Sequence, residues 1–577
     1  MNMDSTRIAD NSSAAIIARF LRRRGVDRVF ALCGGHIMPI WMSIDAEGIR
    51  IIDVRDERAA VHMAHAHAEL TGSLGVALVT AGPGLTNAIT GIANAHVARA
   101  PVLVLSGVPP RAQENRGSLQ DLDGALLVRS ITRYARTVRE PSLVLQELDA
   151  AVERAVGRGG DPGPVYLDFP TDTLRAKVVP ALQMDEHFRQ KPTPALVPPR
   201  DSLEDAAEIL WSARRPLVIS GRGARTAGPA LTRFLDQLGA LYLDTGESRG
   251  VVSDGHPSVV NGVRGKVMTE ADVVVTLGRR LDFQLGFGSP AIFGDAKFVR
   301  ISDAPSELSD NRRGEVEIHA DGALTLNGLL EAAGNREPAI DHEWAARLRA
   351  EHERKTESLR LAMASAPDDE NGRIHPHKLI AALQNHIGDD DIVVTDGGDF
   401  LSFCRVGLSA KRMLDPGSLG CIGIGLPFGI AAGLAFPERP VIVATGDGSF
   451  GFNAIEIDTA VRHNVPLVVV VANNGAWQIE VHDQRITYGK VVGTELQYAD
   501  HAALARALGM KAERIESAEE LPAAIEWAIA NKPALLDVVV SPGAVSSDSK
   551  SGLAWVPDLQ PLAAWDEAEL KWRDGVS

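Results

Sequence analysis

Short, uninterrupted apolar runs recur down this chain with helical stretches between them: Val76–Thr80, Val102–Ser106, Leu217–Ser220, Val273–Leu277, Ile392–Thr395, Val441–Thr445, Leu467–Ala472 and Leu535–Val540. A strand with one wet face alternates apolar and polar residues. A run that is apolar at every position needs cover on both faces, so these read as strands of parallel sheets packed between helices. Segments such as Arg58–Leu70 and Ala502–Leu508 are Ala-rich and long enough to be those helices. The expected class is α/β, each sheet parallel and flanked by helices.

A chain of 577 residues is too long for one core, since a domain takes roughly 150 residues. Two breaks divide it. Residues 180–200 (PALQMDEHFRQKPTPALVPPR) carry five prolines and no periodicity, which predicts an extended linker. Residues 335–377 open as a charged helix and end in ASAPDDENGR, a surface connection. The expected units are therefore 1–180, 200–335 and 375–545. A last segment, 546–577, has Trp555 and Trp565 but no strand pattern, and is expected to drape over an existing surface.

Composition excludes several classes. Apolar residues make up 45% and charged residues 23%, ordinary for a packed globular protein and wrong for a disordered one. No apolar run approaches the ~18 residues of a membrane span, and the polar start MNMDSTRIADNSS does not read as a secretory signal. Three cysteines (Cys33, Cys404, Cys421) exclude a disulfide scaffold. A net charge of −16 repels nucleic acid and anionic lipid. A cytoplasmic enzyme is the expectation.

The chemistry is most legible in Gly446-Asp447-Gly448-Ser449 and the later pair Asn473-Asn474. An apolar strand ends in glycines whose backbone can approach a diphosphate, and a helix follows at once. The next strand delivers Asn473-Asn474 to the same sheet edge. A carboxylate and an amide oxygen meeting there are hard ligands, suited to magnesium held against phosphate.

With these residues in view the chain resembles the thiamine-diphosphate enzymes of the acetolactate synthase and 2-oxo acid decarboxylase group. The resemblance covers nearly the whole length. It includes Arg55-Asp56-Glu57-Arg58-Ala59-Ala60, the turn Thr80-Ala81-Gly82-Pro83-Gly84, and Gly420-Cys421-Ile422-Gly423. It implies a pyrimidine-binding unit, a central nucleotide-binding-like unit and a diphosphate-binding unit, with the cofactor between the first unit of one subunit and the third of another. A homodimer or homotetramer follows. It also implies that Asp447, Asn474 and the Ala476 carbonyl hold Mg2+, and that Gly448 and Ser449 contact the diphosphate while Gly398-Asp399-Phe400 closes on it. Pro83, Trp477 and Ile479 would line the cofactor. Ile422 would be the apolar wedge that bends it, and the Gly420 carbonyl would accept from its amino group.

Glu57 has two readings. At a helix start a carboxylate is favoured by the macrodipole. The resemblance implies more: a carboxyl bonded to the aminopyrimidine, favouring the imino form that removes the thiazolium proton. Burial would raise such a carboxyl enough to share that proton. Glu480, six positions past Asn474, is the second acid/base candidate, expected on a short helix beside the substrate. Gln120 and His36, the latter in the glycine-rich CGGHIMP loop, are candidates for the substrate pocket; each is equally compatible with a turn or loop role. His62 and His65 share a helix face but lack a carboxylate partner pattern, and are expected to be structural. In the central unit Arg222, Arg279 and Asp303 follow strands and resemble a site for ADP or a non-redox FAD.

Two activities remain open. The stretch GAWQIEVHDQ after the asparagine pair departs from the synthases, and Gly117–Gln120 stands where decarboxylases carry a histidine pair. The Ile479-Glu480 pair and the long C-terminal segment resemble the 2-hydroxyacyl-CoA lyases, which cleave a 2-hydroxyacyl thioester to formyl-CoA and an aldehyde or ketone. In that reading 546–577 is a lid, the partner molecule is an acyl-CoA, and Arg405, Lys411 and Arg412 are candidates for its phosphates. The alternative is a synthase or decarboxylase acting on free 2-oxo acids.

Overall fold

The structure is a computed structural model that describes residues 11–178, 187–188, 195–546, 570 and 574. Nearly all of the expected lid, and most of the expected linker, lie outside the described residues.

Three parallel sheets carry the chain. The first contains β1 (Arg28–Ala31), β2 (Arg50–Asp53), β3 (Gly75–Val79), β4 (Val102–Val108), β5 (Tyr134–Thr137) and β6 (Val165–Pro170) in the order β2-β1-β3-β4-β6-β5. The central sheet contains β7 (Pro216–Ser220), β8 (Leu241–Leu243), β9 (Val273–Leu277), β10 (Lys297–Ser302) and β11 (Val316–His319) in the order β11-β10-β9-β7-β8. The third contains β12 (Ile392–Asp396), β13 (Arg412–Leu414), β14 (Val441–Gly446), β15 (Leu467–Asn473), β16 (Lys511–Ile515) and β17 (Ala534–Val539) in the order β13-β12-β14-β15-β17-β16. The first and third sheets therefore share one topology. The apolar runs occupy the inner strands; β4 and β15, for instance, are buried along almost their whole length.

This topology decides where ligands can go. In an open parallel sheet the crevice lies beyond the strand C-termini, where the strand order reverses. That point falls between β1 and β3, between β7 and β9, and between β12 and β14. Each is flanked by glycine-containing loops: Gly34-Gly35-His36 and Gly82-Pro83-Gly84, then Gly221-Arg222-Gly223 and Gly278-Arg279, then Gly397-Gly398 and Asp447-Gly448.

The first and third units share a core. The Glu57–Thr71 helix packs against the Pro83–Ala98 helix and against the Gly425–Ala435 helix of the third unit. One cluster of buried residues runs through Ala59, Ala60, Ala64, Ile424, Phe428 and Ala431. Small side chains let these helices approach closely, and Phe428 fills the seam with its ring edge-on to His62 and His65. The central unit is tied to the first by Arg99 and Glu307, 2.7 Å apart and almost wholly buried, and by Arg225 and Glu69 at 3.2 Å.

Replacing Phe428 with alanine leaves a cavity at this seam. The expected cost is about 3–5 kcal/mol, read as a lower midpoint of the first calorimetric unfolding transition. An unchanged midpoint would show that the seam is not where the two units are joined.

Candidate active site

The first half of the site is built at the switch point of the first sheet. The carboxylate of Asp56 caps the following helix by accepting from the Arg58 N–H at 2.8 Å. Glu57 is thereby the first helical residue and is 5% exposed. Its Oε2 accepts from Asn87 Nδ2 at 3.1 Å, and burial pushes its carboxyl above the usual range. Asn87 had no signal of its own in the sequence. Pro83 opens the next helix, where its missing N–H costs nothing. A Cβ on Gly84 would stand 3.2 Å from Glu57 Oε1, so glycine is what allows that turn to close on the carboxyl. Gln120 adopts a left-handed backbone (φ 64°) and packs against Gly82, with its side chain beside the His36 imidazole. Burial lowers the His36 pKa, favouring the neutral ring, and its Nδ1 is buried without a partner. Glu57, Pro83, Gln120 and His36 are thus linked through one group of contacts.

The second half lies at the switch point of the third sheet. Asp447 begins the Asp447–Asn453 helix directly after β14, and its Oδ2 accepts from the Gly475 N–H at 3.0 Å. Asn474 Oδ1 accepts from the Ala476 N–H at 3.1 Å. A Cβ on Gly448 would meet the Trp477 ring at 2.5 Å. Gly397, with φ 125°, runs past Gly446 and the Ser449 hydroxyl. A Cβ on Gly398 would stand 3.4 Å from Ile479 Cγ2. Asp399 and Phe400 begin the Asp399–Gly407 helix and are buried. Ile479 and Glu480 sit in the Gln478–Asp483 helix, with Glu480 exposed. The neighbouring Gln478 and His482 reach the carbonyls of Pro542 and Ala544, so residues 542–544 lie beside this helix. Gly420 has φ 65° and Ile422 is half-buried; the turn between them rests on Asp396, a buried carboxylate at the end of β12 that the sequence reading passed over.

The side-chain contacts recorded for Glu57 are within its own unit, and those for Asp447 are within the third. What joins the halves is adjacent: Glu456 Oε1 accepts from the N–H groups of Arg55 and Asp56, both at 3.0 Å, and Arg58 donates to the Phe452 carbonyl at 2.7 Å. In the central unit Arg222 pairs with Asp303, while Arg279, 1% exposed, makes a bidentate pair with Asp282 at 2.9 Å. Arg405 pairs with Asp415 and Lys411 with Asp389, both at 2.9 Å, and Arg412 lies over the Phe436 ring. His62 and His65 are buried, and burial lowers His62 to about 3; against the expectation of no carboxylate partner, His65 Nε2 lies 2.9 Å from Glu69 Oε1, one helical turn on.

The donor set fits a phosphate-bound cation. Burial pushes the Asp447 carboxyl up to about 6, and no arginine or lysine pairs with it among the described residues. Backbone N–H groups are its partners. A carboxylate so placed, with the Asn474 amide beside it and glycines around it, offers hard oxygens and backbone access to a diphosphate.

Three family descriptions match the chain, one on each sheet-bearing unit. Residues 12–127 match the N-terminal TPP binding domain of thiamine pyrophosphate enzymes, 203–329 their central domain and 401–538 their C-terminal TPP binding domain. The chain is a thiamine-diphosphate-dependent enzyme of this family. It is similar to a 2-hydroxyacyl-CoA lyase 2 of Caenorhabditis elegans, with 30% identity over 87% of this chain and 84% of that protein. It is 31% identical to 2-hydroxyacyl-CoA lyase 2 of Homo sapiens over 86% and 84% of the two chains. An acetolactate synthase large subunit of Mycobacterium tuberculosis is 33% identical over 96% of this chain and 100% of its own. Among the described residues no helix is long and apolar enough to cross a membrane.

A raised carboxyl loses stability as pH climbs through its folded pKa, because the folded state then holds a charge the unfolded chain carries more easily. Glu57→Gln removes that penalty. The apo variant is expected to unfold at a higher temperature than the parent at pH 8, the gap shrinking toward pH 4. Parallel midpoints across that range would mean Glu57 is not desolvated.

Proposed function

We propose that the protein is a 2-hydroxyacyl-CoA lyase cleaving short substrates, such as 2-hydroxyisobutyryl-CoA, to formyl-CoA and a ketone or aldehyde. The supporting observation is the Gln478–Asp483 helix: Ile479 packs on Gly398 of the diphosphate loop while Glu480 on the same turn stays exposed, free to meet a substrate. The relatives named 2-hydroxyacyl-CoA lyase support the same reading.

Thiamine diphosphate, when bound, supplies a carbon nucleophile and a place to store the electron pair released by C–C cleavage. In this reading Asp447, Asn474 and the Ala476 carbonyl hold Mg2+, and Gly448, Ser449 and the Gly398–Phe400 segment receive the diphosphate. Glu57 holds a proton at its carboxyl against the pyrimidine ring, kept in place by Asn87. Glu480 takes the 2-hydroxyl proton as the bond to the thioester carbonyl breaks and returns it to the carbon that leaves as formyl-CoA. His36 and Gln120 orient the substrate oxygen, and Ile479 limits the acyl chain.

The wider assembly belongs to the same proposal. Two or four copies would meet at the exposed face around Gln120, where Leu119, Leu122, Leu126 and Leu127 are exposed. Segment 546–577 would cover the CoA, ADP or a non-redox FAD would occupy the central crevice at Arg222, Arg279 and Asp303, and the enzyme would work in the cytoplasm. A second reading, a synthase or decarboxylase of free 2-oxo acids, is favoured by the full-length similarity to the acetolactate synthase.

The two are separated by one assay. With thiamine diphosphate and Mg2+, the purified protein is expected to release formyl-CoA and acetone from 2-hydroxyisobutyryl-CoA. Turnover of pyruvate without thioester cleavage would replace the proposal with the second reading. Glu480→Gln is expected to lower kcat by roughly 10²–10⁴-fold with cofactor affinity intact. Loss of cofactor binding would make Glu480 a structural residue.

A further inference from the structure

Burying a carboxylate at the end of a sheet strand is costly unless its oxygens are met by donors. Asp396, the last residue of β12, is 1% exposed, and its Oδ2 accepts from the N–H of Gly423 at 3.0 Å and of Gly425 at 2.8 Å. No guanidinium or ammonium faces it among the described residues, and burial lifts it to about 7. The strand's own packing would be served as well by another valine. What the carboxylate adds is a grip on the turn that carries Gly420 and Ile422.

The same turn is gripped from its other side. Asn453, 2% exposed, donates from Nδ2 to the Gly423 carbonyl at 2.5 Å, so both backbone groups of Gly423 are engaged. Gly423 has φ 90° and lies against Phe452, where a Cβ would meet the Phe452 Cβ at 2.5 Å; a larger residue could not take this place. The other end of the same amide, Asn453 Oδ1, accepts from Arg58 at 3.3 Å. Asn453 ends the helix that Asp447 begins, and Asp396 leads directly into Gly397-Gly398. The turn is thus referenced to both segments that form the diphosphate side and to the helix that starts with Glu57.

We propose that Asp396 and Asn453 are positioning residues, which fix the Gly420–Gly423 turn so that Ile422 and the Gly420 carbonyl meet the bound cofactor at a set distance from its diphosphate anchor. This rests on the reading of Ile422 and Gly420 as cofactor contacts. In this reading Asp396 and Asn453 act through the turn they hold and not by contact with the cofactor. Asp396→Asn turns one acceptor into an N–H2 group facing backbone donors. Asn453→Asp keeps an acceptor for Arg58 while deleting the donor to Gly423.

The test is a titration of thiamine diphosphate, at saturating Mg2+, into the apo full-length protein and both variants. It is followed by calorimetry and by the near-ultraviolet circular dichroism of the bound cofactor. Each variant is expected to raise Kd about tenfold, the scale of one charge-assisted or buried hydrogen bond, and to change the dichroism at saturation. Parental Kd and dichroism in both variants, with or without a lower unfolding midpoint, would overturn the inference. Should Asp396→Asn fail to fold, parental values in Asn453→Asp alone would overturn it. If the parent cleaves no 2-hydroxyacyl-CoA, the lyase reading fails while the titration still decides the role of these two residues.

Discussion

The rest of the structure depends on the close approach of the Glu57–Thr71 and Gly425–Ala435 helices. Alanines line that contact, and Phe428 fills what they leave. Because the first helix begins at Glu57 and the second follows the Gly420–Gly423 turn, the helix packing fixes the distance between two parts of the chain that are some 360 residues apart in sequence. Polar contacts sharpen what packing sets: Glu456 holds the backbone of Arg55 and Asp56, and Arg58 reaches Phe452 and Asn453. A catalytic geometry assembled from loops alone would be looser.

Electrostatics sets the carboxyls of the site apart from Asp303 of the central unit. Around the site Glu57, Asp396, Asp447 and Glu456 are buried carboxyls held by hydrogen bonds rather than by cations, and burial raises all four. In the central unit Asp303 has Arg222 beside it and is held below the usual carboxylate range. Carboxyls raised by burial can carry or accept a proton, or receive a cation, near neutral pH. The Arg222 guanidinium instead keeps the Asp303 carboxyl ionised.

Much of this was legible in the sequence, for definite reasons. The inner strands β4, β9, β14 and β15 are apolar at nearly every position, so their place between helix layers could be read directly. Edge strands could not: β13 is only Arg412–Leu414, and β16 (KAERI) is charged along much of its length. The Glu57 helix start and the Asp447 turn were visible because spacing and glycine placement carry their chemistry. Asn87, Asp396 and Asn453 were invisible because each acts through a partner distant in sequence: an isolated Asn or Asp looks like any polar residue until the fold shows its donor or acceptor. The ion pairs of Arg222 and Arg279 belong to the same class, since the sequence shows Arg222, Arg279 and Asp303 but not that Arg222 meets Asp303 or that Arg279 meets Asp282.

The central claim is that Glu57 and the Asp447–Asn474 pair serve one thiamine diphosphate. A crystal structure of the complex with Mg2+ tests it most directly. The account predicts the residue 57 carboxyl within about 3 Å of a pyrimidine nitrogen, with Asp447 and Asn474 oxygens on the metal at the diphosphate of the same cofactor molecule. A bound cofactor whose pyrimidine lies beyond hydrogen-bonding reach of any Glu57 in the assembly would contradict it.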